Sequence, residues 1–149
     1  MFKHDELGNV VGTFLLDYQA AHVGTPAQDL YYFLLSLPRY ELKIKKFYYF
    51  IKYYHDRLTE NLTLLKYPKN LPTLKDLHIT LLKYSAWAYN ASTGIMAAVL
   101  LDPSDKANLD NYFGSSDEAA QFQMQLYSNP RYRKHMKMVL PWLYYRGTF

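Results

Sequence analysis

The amino-acid sequence predicts a mainly α-helical domain with a short N-terminal β-hairpin. Residues 1–17 consist of two apolar segments separated by turn-forming residues. From Thr25 onwards the apolar residues recur three and four positions apart, which is typical of amphipathic helices. The chain has 149 residues, half of them hydrophobic, so it is long enough for one domain with a substantial core.

Residues 1–17 indicate the hairpin. MFK is expected to be a short strand, and HDELGN supplies turn residues, of which Gly8 and Asn9 tolerate a positive φ. Residues 10–17, VVGTFLLD, form a nearly continuous apolar run that is typical of a strand buried on both faces. Such a hairpin needs cover from other elements. Only helices follow it, so the sequence gives the impression of beginning in the middle of a domain.

Thr25 is expected to cap the first helix. Thr25, Pro26 and Gln28 match an N-cap, a proline at the first helical position and the glutamine of a capping box. Apolar residues follow at helical spacing, and Pro38 is expected to end the helix. A second helix is predicted over residues 41–65 from its apolar stripe.

The second half of the chain predicts three more helices. Thr73 is expected to cap a long helix that runs towards position 101, with a kink at Gly94. Residues 102–118 are expected to be rich in loops, with one short turn of helix. A helix over residues 117–127 follows. Asn129 and Pro130 then cap a last, basic helix, which is expected to end at Pro141.

Composition excludes several classes of site. The formal net charge of +4 suits a phosphate-bearing ligand but does not by itself indicate a nucleic-acid binder. The absence of cysteine excludes disulfides, thiolate metal sites and a cysteine nucleophile. No apolar run is long enough to span a bilayer, and residues 1–10 are polar and do not resemble the apolar region of a signal peptide. We therefore expect a cytoplasmic protein with neither a nucleic-acid partner nor a membrane span.

Two carboxylates are the main candidates for function. Asp17 follows an apolar strand and precedes an irregular loop, where hard cations such as Mg²⁺ are often held; alternatively, it is a polar residue that ends a strand. Asp29 lies in the first turn of a helix, where a negative charge favours the helix dipole. Its alternative role is structural support of a neighbouring loop. His22 could line the same cleft as Asp17 or be an ordinary loop residue.

Other motifs favour structural interpretations. The five histidines show no metal-ligand spacing, and glycine-rich phosphate loops are absent from the sequence. The basic segment RYRKHMK, residues 131–137, could bind phosphate or acidic lipid, but an amphipathic helix with a solvated basic face is favoured. The tyrosine-rich segment FYYFIKYY, residues 47–54, is interpreted as core rather than as a platform for stacked bases.

The stretch FLLDYQAAHVGTPAQDLYYFLL, residues 14–35, resembles the corresponding stretch of the ecdysteroid kinase-like family. That family, also called CHK kinase-like, is related to choline and aminoglycoside phosphotransferases. The series D-[FY]-Q, G-[ST]-P-A and D-L-Y-[YF] is specific in combination. The later segments AAVLLDPSDKANLDNYF and LYSNPRYRKHMKMVLPWLYYRG resemble the C-terminal half of the same family, so the resemblance extends over essentially the whole chain.

The resemblance implies roles for individual residues. Asp17 matches the family's metal-binding aspartate, which holds Mg²⁺ against the phosphates of ATP. Asp29 matches the helix aspartate that supports the catalytic loop from below, and Gly24 belongs to the turn that brings this helix there. Asp29 is thus expected to point inwards, beneath the position of that loop, and without the loop to be left with unsatisfied hydrogen-bonding capacity or in contact with water. Three further residues are expected to line the cleft: Tyr18, which stands where the family usually has Phe, Gln19 and His22.

The resemblance also implies that catalytic parts are missing. The family carries H-G-D-x-x-x-x-N-N, with its base Asp and its Asn metal ligand, immediately before the position that corresponds to Met1. A small lobe with an ATP-contacting lysine precedes that segment. Residues 1–149 are thus expected to be one partial kinase-like C-lobe without the N-lobe and catalytic loop. It would come from a partial gene model, a truncated transcript or a decayed copy.

The function implied is that of an ATP-dependent kinase for a hydroxyl of a lipophilic, ecdysteroid-like acceptor. Tyrosines and Trp87 are candidate walls of the acceptor pocket. Without the base, the Asn metal ligand and the ATP-contacting lysine, this fragment is expected to bind ATP and Mg²⁺ poorly and to be inactive. The alternative is a non-catalytic helical module, a pseudo-enzyme, which self-associates through its exposed strand. An unrelated small helical protein is the third interpretation.

Overall fold

The computed structural model describes residues 1–16, 18 and 21–149. Within this part of the chain, helices dominate, and the sheet that it contains is a two-stranded antiparallel hairpin at the N-terminus. The predicted fold class, mainly α with a short N-terminal β-hairpin, is confirmed.

The hairpin pairs β1, Phe2–His4, with β2, Val10–Thr13. Gly8 takes the positive φ of +82° expected of it, and an Asp5 carboxylate oxygen accepts the backbone N–H groups of the turn. The expectation of a strand buried on both faces is wrong, because Val10 and Val11 are 56% and 57% exposed. The apolar pattern reflects β-propensity here, since both faces of the strand meet solvent.

The first helix, α1, spans Pro26–Ser36 and confirms the predicted N-cap. Thr25 Oγ1 accepts the backbone N–H of Ala27 at 3.3 Å. The side chain of Gln28 does not complete a capping box; its Oε1 lies 3.1 Å from Nε2 of His22. The helix ends before Pro38, as predicted.

The helix predicted over residues 41–65 is two helices: α2, Tyr40–Lys45, and α3, Phe47–Leu64. The backbone of Lys46 leaves the helical region, with φ −107° and ψ 10°. This break allows α2 to pack on the C-terminal helix while α3 packs on α1. Long-range packing, rather than a local breaker residue, therefore interrupts the apolar stripe.

The long helix predicted after Thr73 is also interrupted. Its parts are α4, Leu74–Lys83; α5, Ala86–Asn90; a π-helical segment, Ala91–Ile95; and α6, Met96–Val99. Thr73 caps α4 as expected. Gly94, the predicted kink site, lies in the π-helical segment, the kind of local widening that commonly kinks helices.

The last three helices are α7, Leu109–Phe113; α8, Asp117–Ser128; and α9, Pro130–Tyr145. The short turn and the two longer helices were predicted, but the predicted end at Pro141 is wrong. Pro141 removes one helical hydrogen bond. The helix continues because its last turn buries Leu143 completely and places the Trp142 ring 4.9 Å from that of Phe47.

The core consists of two clusters that α9 joins. The larger cluster brings together α1, α3, α4, α5 and the second half of α9, with Phe47 and Ile51 fully buried. The smaller cluster packs α6 against α8 and the first half of α9, around Phe122 and Leu126. The tyrosine-rich segment contributes its Phe47 and Ile51 to the core, while Tyr48, Tyr49 and Tyr53 remain more than half exposed.

Candidate functional site

A cavity of about 800 Å³ lies where the loop before α1 meets α1 and α3. We call it the motif cleft, because it is lined by four residues that the sequence analysis singled out: Tyr18, His22, Gly24 and Asp29. Thr25, Tyr32 and Tyr54 are among its other lining residues. Asp17 and Gln19 lie outside the described residues, so their predicted roles stay predictions.

The loop before α1 brings His22 over Gly24. A Cβ on Gly24 would meet the His22 ring at 3.4 Å, an ordinary contact distance. The backbone of Gly24 does not adopt a left-handed conformation. The backbone conformation at position 24 therefore does not require glycine. A side chain larger than a methyl group at this position would instead push against the His22 imidazole.

Asp29 projects from the first turn of α1 into the motif cleft and is exposed. Opposite it lies Tyr54 of α3, which is partly buried. Burial raises the pKa of the Tyr54 hydroxyl, and the negative charge of Asp29 raises it further. In this structure Asp29 is therefore a solvated carboxylate beside a phenol. Its predicted support of a catalytic loop stays a prediction.

A second cavity, of about 810 Å³, separates α1 from α3. We call it the α1–α3 pocket. Its walls are largely apolar or aromatic: Leu30, Phe33, Leu34, Tyr49, Phe50, Tyr53 and Tyr54. Its polar side chains are those of Asp29 and Arg57, beside the ring hydroxyls of its tyrosines. Pro26, Asp29 and Tyr54 line both this pocket and the motif cleft, so the two cavities meet at the same carboxylate.

Sequence reasoning missed Tyr54 and Arg57. Tyr54 was assigned to the apolar stripe of its helix, although its polar hydroxyl was a possible signal of a half-buried position. Arg57 lies with its guanidinium carbon 5.4 Å from the Tyr53 ring centroid and forms a 2.7 Å ion pair with Glu60. Trp87, a predicted pocket wall, lies on α5 and does not line the α1–α3 pocket.

The basic segment at residues 131–137 forms one amphipathic face of α9, as favoured from its pattern. Arg131 pairs with Asp102 at 2.5 Å and is exposed, whereas Tyr132 and His135 are buried. The segment is thus a largely solvated basic segment that also contains a buried histidine, which the pattern did not indicate.

A metal site is not formed by the described residues alone. Within residues 1–16, 18 and 21–149, no group of three or more histidine and carboxylate side chains is placed to hold a metal ion. Asp29 is the carboxylate that the described residues contribute to the motif cleft. The same part of the chain contains no helix that is both long and apolar enough to cross a membrane.

The comparisons with known proteins give one match, which covers the N-terminal part of the chain. No curated protein and no solved structure matches the chain. The family model of the ecdysteroid kinase-like family matches residues 1–67. This segment contains the hairpin, helices α1 to α3 and all the described lining residues of both cavities. Residues 1–67 are therefore similar to the ecdysteroid kinase-like family, and the resemblance recognised in the sequence is confirmed over this segment.

Proposed function

We propose that residues 1–149 form the C-terminal part of an ATP-dependent small-molecule kinase, a single partial C-lobe. In this proposal the α1–α3 pocket holds a lipophilic, ecdysteroid-like alcohol and the motif cleft faces the nucleotide. The observation that carries it is the shared wall of the two cavities at Asp29 and Tyr54. Because ATP is a cytosolic co-substrate, we place the reaction in the cytoplasm.

The chemistry requires two adjoining environments. Phosphoryl transfer depends on positioning the acceptor hydroxyl beside the γ-phosphate and on stabilising the developing charge. A largely apolar pocket suits the carbon skeleton of the acceptor. The polar cleft next to it suits phosphate oxygens, for which Mg²⁺ held by Asp17 would supply positive charge. Asp29 and Tyr54, at the junction, are placed to position the acceptor hydroxyl.

The 149 residues contain no match to H-G-D-x-x-x-x-N-N, the family segment that supplies the base. A base must remove the acceptor proton as the oxygen attacks phosphorus. We therefore expect these residues, expressed by themselves, to bind an acceptor without phosphorylating it.

Acceptor binding tests the pocket directly. Phe33 is 54% exposed and lines the α1–α3 pocket, so Phe33→Arg should place a charge in the pocket with little damage to the core. Phe113→Arg is the matched control, because Phe113 is 77% exposed on α7. Equilibrium binding of a radiolabelled steroid alcohol should weaken roughly tenfold or more in Phe33→Arg and stay unchanged in the control.

Equal binding by the two variants would contradict the pocket assignment. Incubation with Mg-ATP and steroid alcohols tests the expected inactivity separately. Turnover by the 149-residue chain that disappears in Asp17→Ala would show that the chain is itself catalytic.

A second candidate function, a non-catalytic interaction module, is favoured by the hairpin. Several apolar side chains in and after the hairpin are more than half exposed: Phe2, Val10, Val11, Phe14, Leu15 and Leu16. Exposed apolar strand edges favour pairing with another chain. This candidate predicts self-association through the hairpin rather than binding of an alcohol.

A further inference from the structure

A further cavity lies at the C-terminal end of α1, between α2, α6 and α9. Its volume is about 320 Å³, within the range of small-ligand pockets. We call it the Lys43 pocket and define it by Tyr40, Lys43, Met96, Leu100 and His135. None of these residues lines the motif cleft or the α1–α3 pocket.

Lys43 is a buried cation with little compensation. Lys43 is 2% exposed, and its Nζ donates a hydrogen bond to the backbone carbonyl oxygen of Leu35 at 2.6 Å. Its other neighbour is Met96 Sδ at 4.0 Å, a weak acceptor. In the part of the chain that the structure describes, no carboxylate forms an ion pair with it. Burial lowers the pKa of the Lys43 ammonium to about 8.

His135 lies beside Lys43 in the lining of the same pocket. The residue is 1% exposed, and both of its ring nitrogens are buried. Burial and, next in size, the positive charge of Lys43 lower the pKa of its imidazole to about 4, although the backbone of Ser92 partly offsets both. The ring is therefore neutral at pH 7 and leaves the charge of Lys43 without an anionic neighbour.

The remaining groups around the Lys43 pocket make it electropositive. Two basic residues of α9, Arg131 and Lys134, line this cavity, and Glu41 of α2 is the acidic residue in its lining. The Tyr40 hydroxyl is engaged in donating to the Lys134 carbonyl oxygen at 2.9 Å. Lys134 Nζ in turn lies 5.7 Å from the Tyr40 ring centroid. Positive charge thus exceeds negative charge at this cavity.

We propose that the Lys43 pocket binds the oxyanion head group, a carboxylate or a phosphate, of a small organic molecule. Lys43 Nζ donates to the oxyanion, while Pro38, Val99 and Leu100, which also line the cavity, contact its carbon skeleton. A buried cation without an anionic partner is costly. An oxyanion compensates the charge of Lys43, whereas a neutral water molecule leaves it uncompensated.

Nuclear magnetic resonance of ¹⁵N-histidine-labelled protein tests this without any substitution. The protein is titrated with butyrate, phenyl phosphate and inorganic phosphate, and with butanol as the neutral control. We expect a saturable shift of the His135 ring nitrogens with butyrate or phenyl phosphate, and the stronger of the two identifies the head group. Butanol should cause none. Absence of a saturable shift with every oxyanion would overturn the proposal, and so would an equal response to butanol.

Charge removal gives a second test. Lys43→Gln should weaken binding of the oxyanion roughly tenfold or more, because a charge-assisted hydrogen bond is lost. Lys45→Gln, on the same helix but exposed, should leave the affinity unchanged. In the wild-type protein the affinity should fall as the pH rises through about 8, since Lys43 then loses its proton.

Circular dichroism checks that Lys43→Gln is folded, and Lys43→Met, which also removes the charge, replaces it if it is not. Affinity that is the same in wild type and in the folded variant would contradict the assignment. The steroid-alcohol binding described above involves a different cavity, so each proposal can fail without the other.

Discussion

The carboxylate of Asp29 lines two neighbouring cavities. It lies in the first turn of α1, where a favourable interaction with the helix dipole is sufficient to account for an acidic residue. The structure adds Tyr54, whose hydroxyl has a raised pKa partly because of this charge. The electrostatic coupling of these two side chains therefore measures whether they face each other in solution.

Asp29→Asn should lower the pKa of Tyr54, because removal of the negative charge makes the phenolate easier to form. The pKa is followed by ¹³C-tyrosine resonances during a pH titration, with Tyr54→Phe to assign the signal. Asp110→Asn on α7 is the control and should leave the pKa unchanged. If Asp29→Asn left the pKa of Tyr54 unchanged, the two side chains would not interact in solution.

His135 makes stability depend on pH. Its pKa is about 4 in the folded chain, against an ordinary value of 6.5. As the pH falls from 6.5 towards 4, the unfolded chain takes up the proton first, so the free energy of unfolding decreases. The contribution is at most about 1.4 kcal/mol per pH unit for one proton.

In His135→Gln the free energy of unfolding should therefore fall less steeply between pH 6.5 and pH 4 than in the wild-type chain. Urea unfolding at a series of pH values measures this slope. His4→Gln, at an exposed position of β1, should keep the wild-type slope. Parallel pH profiles for wild type and His135→Gln would show that His135 is not buried as a neutral ring.

Among the helices, α4 has the most complete cap. Thr73 Oγ1 accepts the backbone N–H of Asp76 at 3.1 Å, and Asp76 Oδ2 accepts the backbone N–H of Thr73 at 2.9 Å. Hydrogen bonds from the side chain and backbone of Thr73 hold the pKa of Asp76 below 3.8. The cap is therefore fully formed above pH 3.8 and is lost as the pH falls through the lowered pKa.

Thr73→Ala should lower the free energy of unfolding by about 1 kcal/mol, the usual effect of removing an N-cap side chain. Urea unfolding at pH 7 measures it. Thr63→Ala is the control, because Thr63 is exposed inside α3 and its hydroxyl only donates to the Thr59 carbonyl oxygen. Equal effects of the two substitutions would show that the cap does not contribute.

At the scale of the whole molecule, α9 joins both core clusters while the hairpin is left uncovered. Val139 and Leu143 of α9 belong to the larger cluster and Tyr132 to the smaller one. By contrast, every residue of β1 and β2 except Gly12 is exposed. α9 thus contributes to both clusters of the helical part, and the apolar surface of the hairpin remains exposed.

The wild-type chain should self-associate in a concentration-dependent manner, because pairing of the hairpins removes exposed apolar surface from water, worth about 25 cal/mol per Å². Sedimentation velocity measures the association. The double variant Val11→Lys, Leu15→Lys should be monomeric. Leu109→Lys, 75% exposed on α7, should associate like wild type. A wild-type chain that is monomeric at every concentration would contradict this expectation.

The sequence by itself determined the local features of this protein. The caps at Thr25 and Thr73, the glycine turn at Gly8 and the helical class all depend on residues close together along the chain. The motif around Asp29 likewise predicted a family resemblance, which holds over residues 1–67. Neighbouring residues suffice for these predictions because hydrogen bonds in caps and turns span only a few positions.

Only the tertiary structure decided which side chains meet and which are buried. The interruption at Lys46, the burial of Lys43 and His135 and the contact of two cavities at Asp29 were not predicted. Each depends on elements far apart in the sequence: His135 on α9 comes to lie near Lys43 on α2. An apolar pattern indicates a helix or strand face that prefers burial, and a basic pattern indicates one that prefers solvent. Whether that preference is met depends on which other element packs against the face.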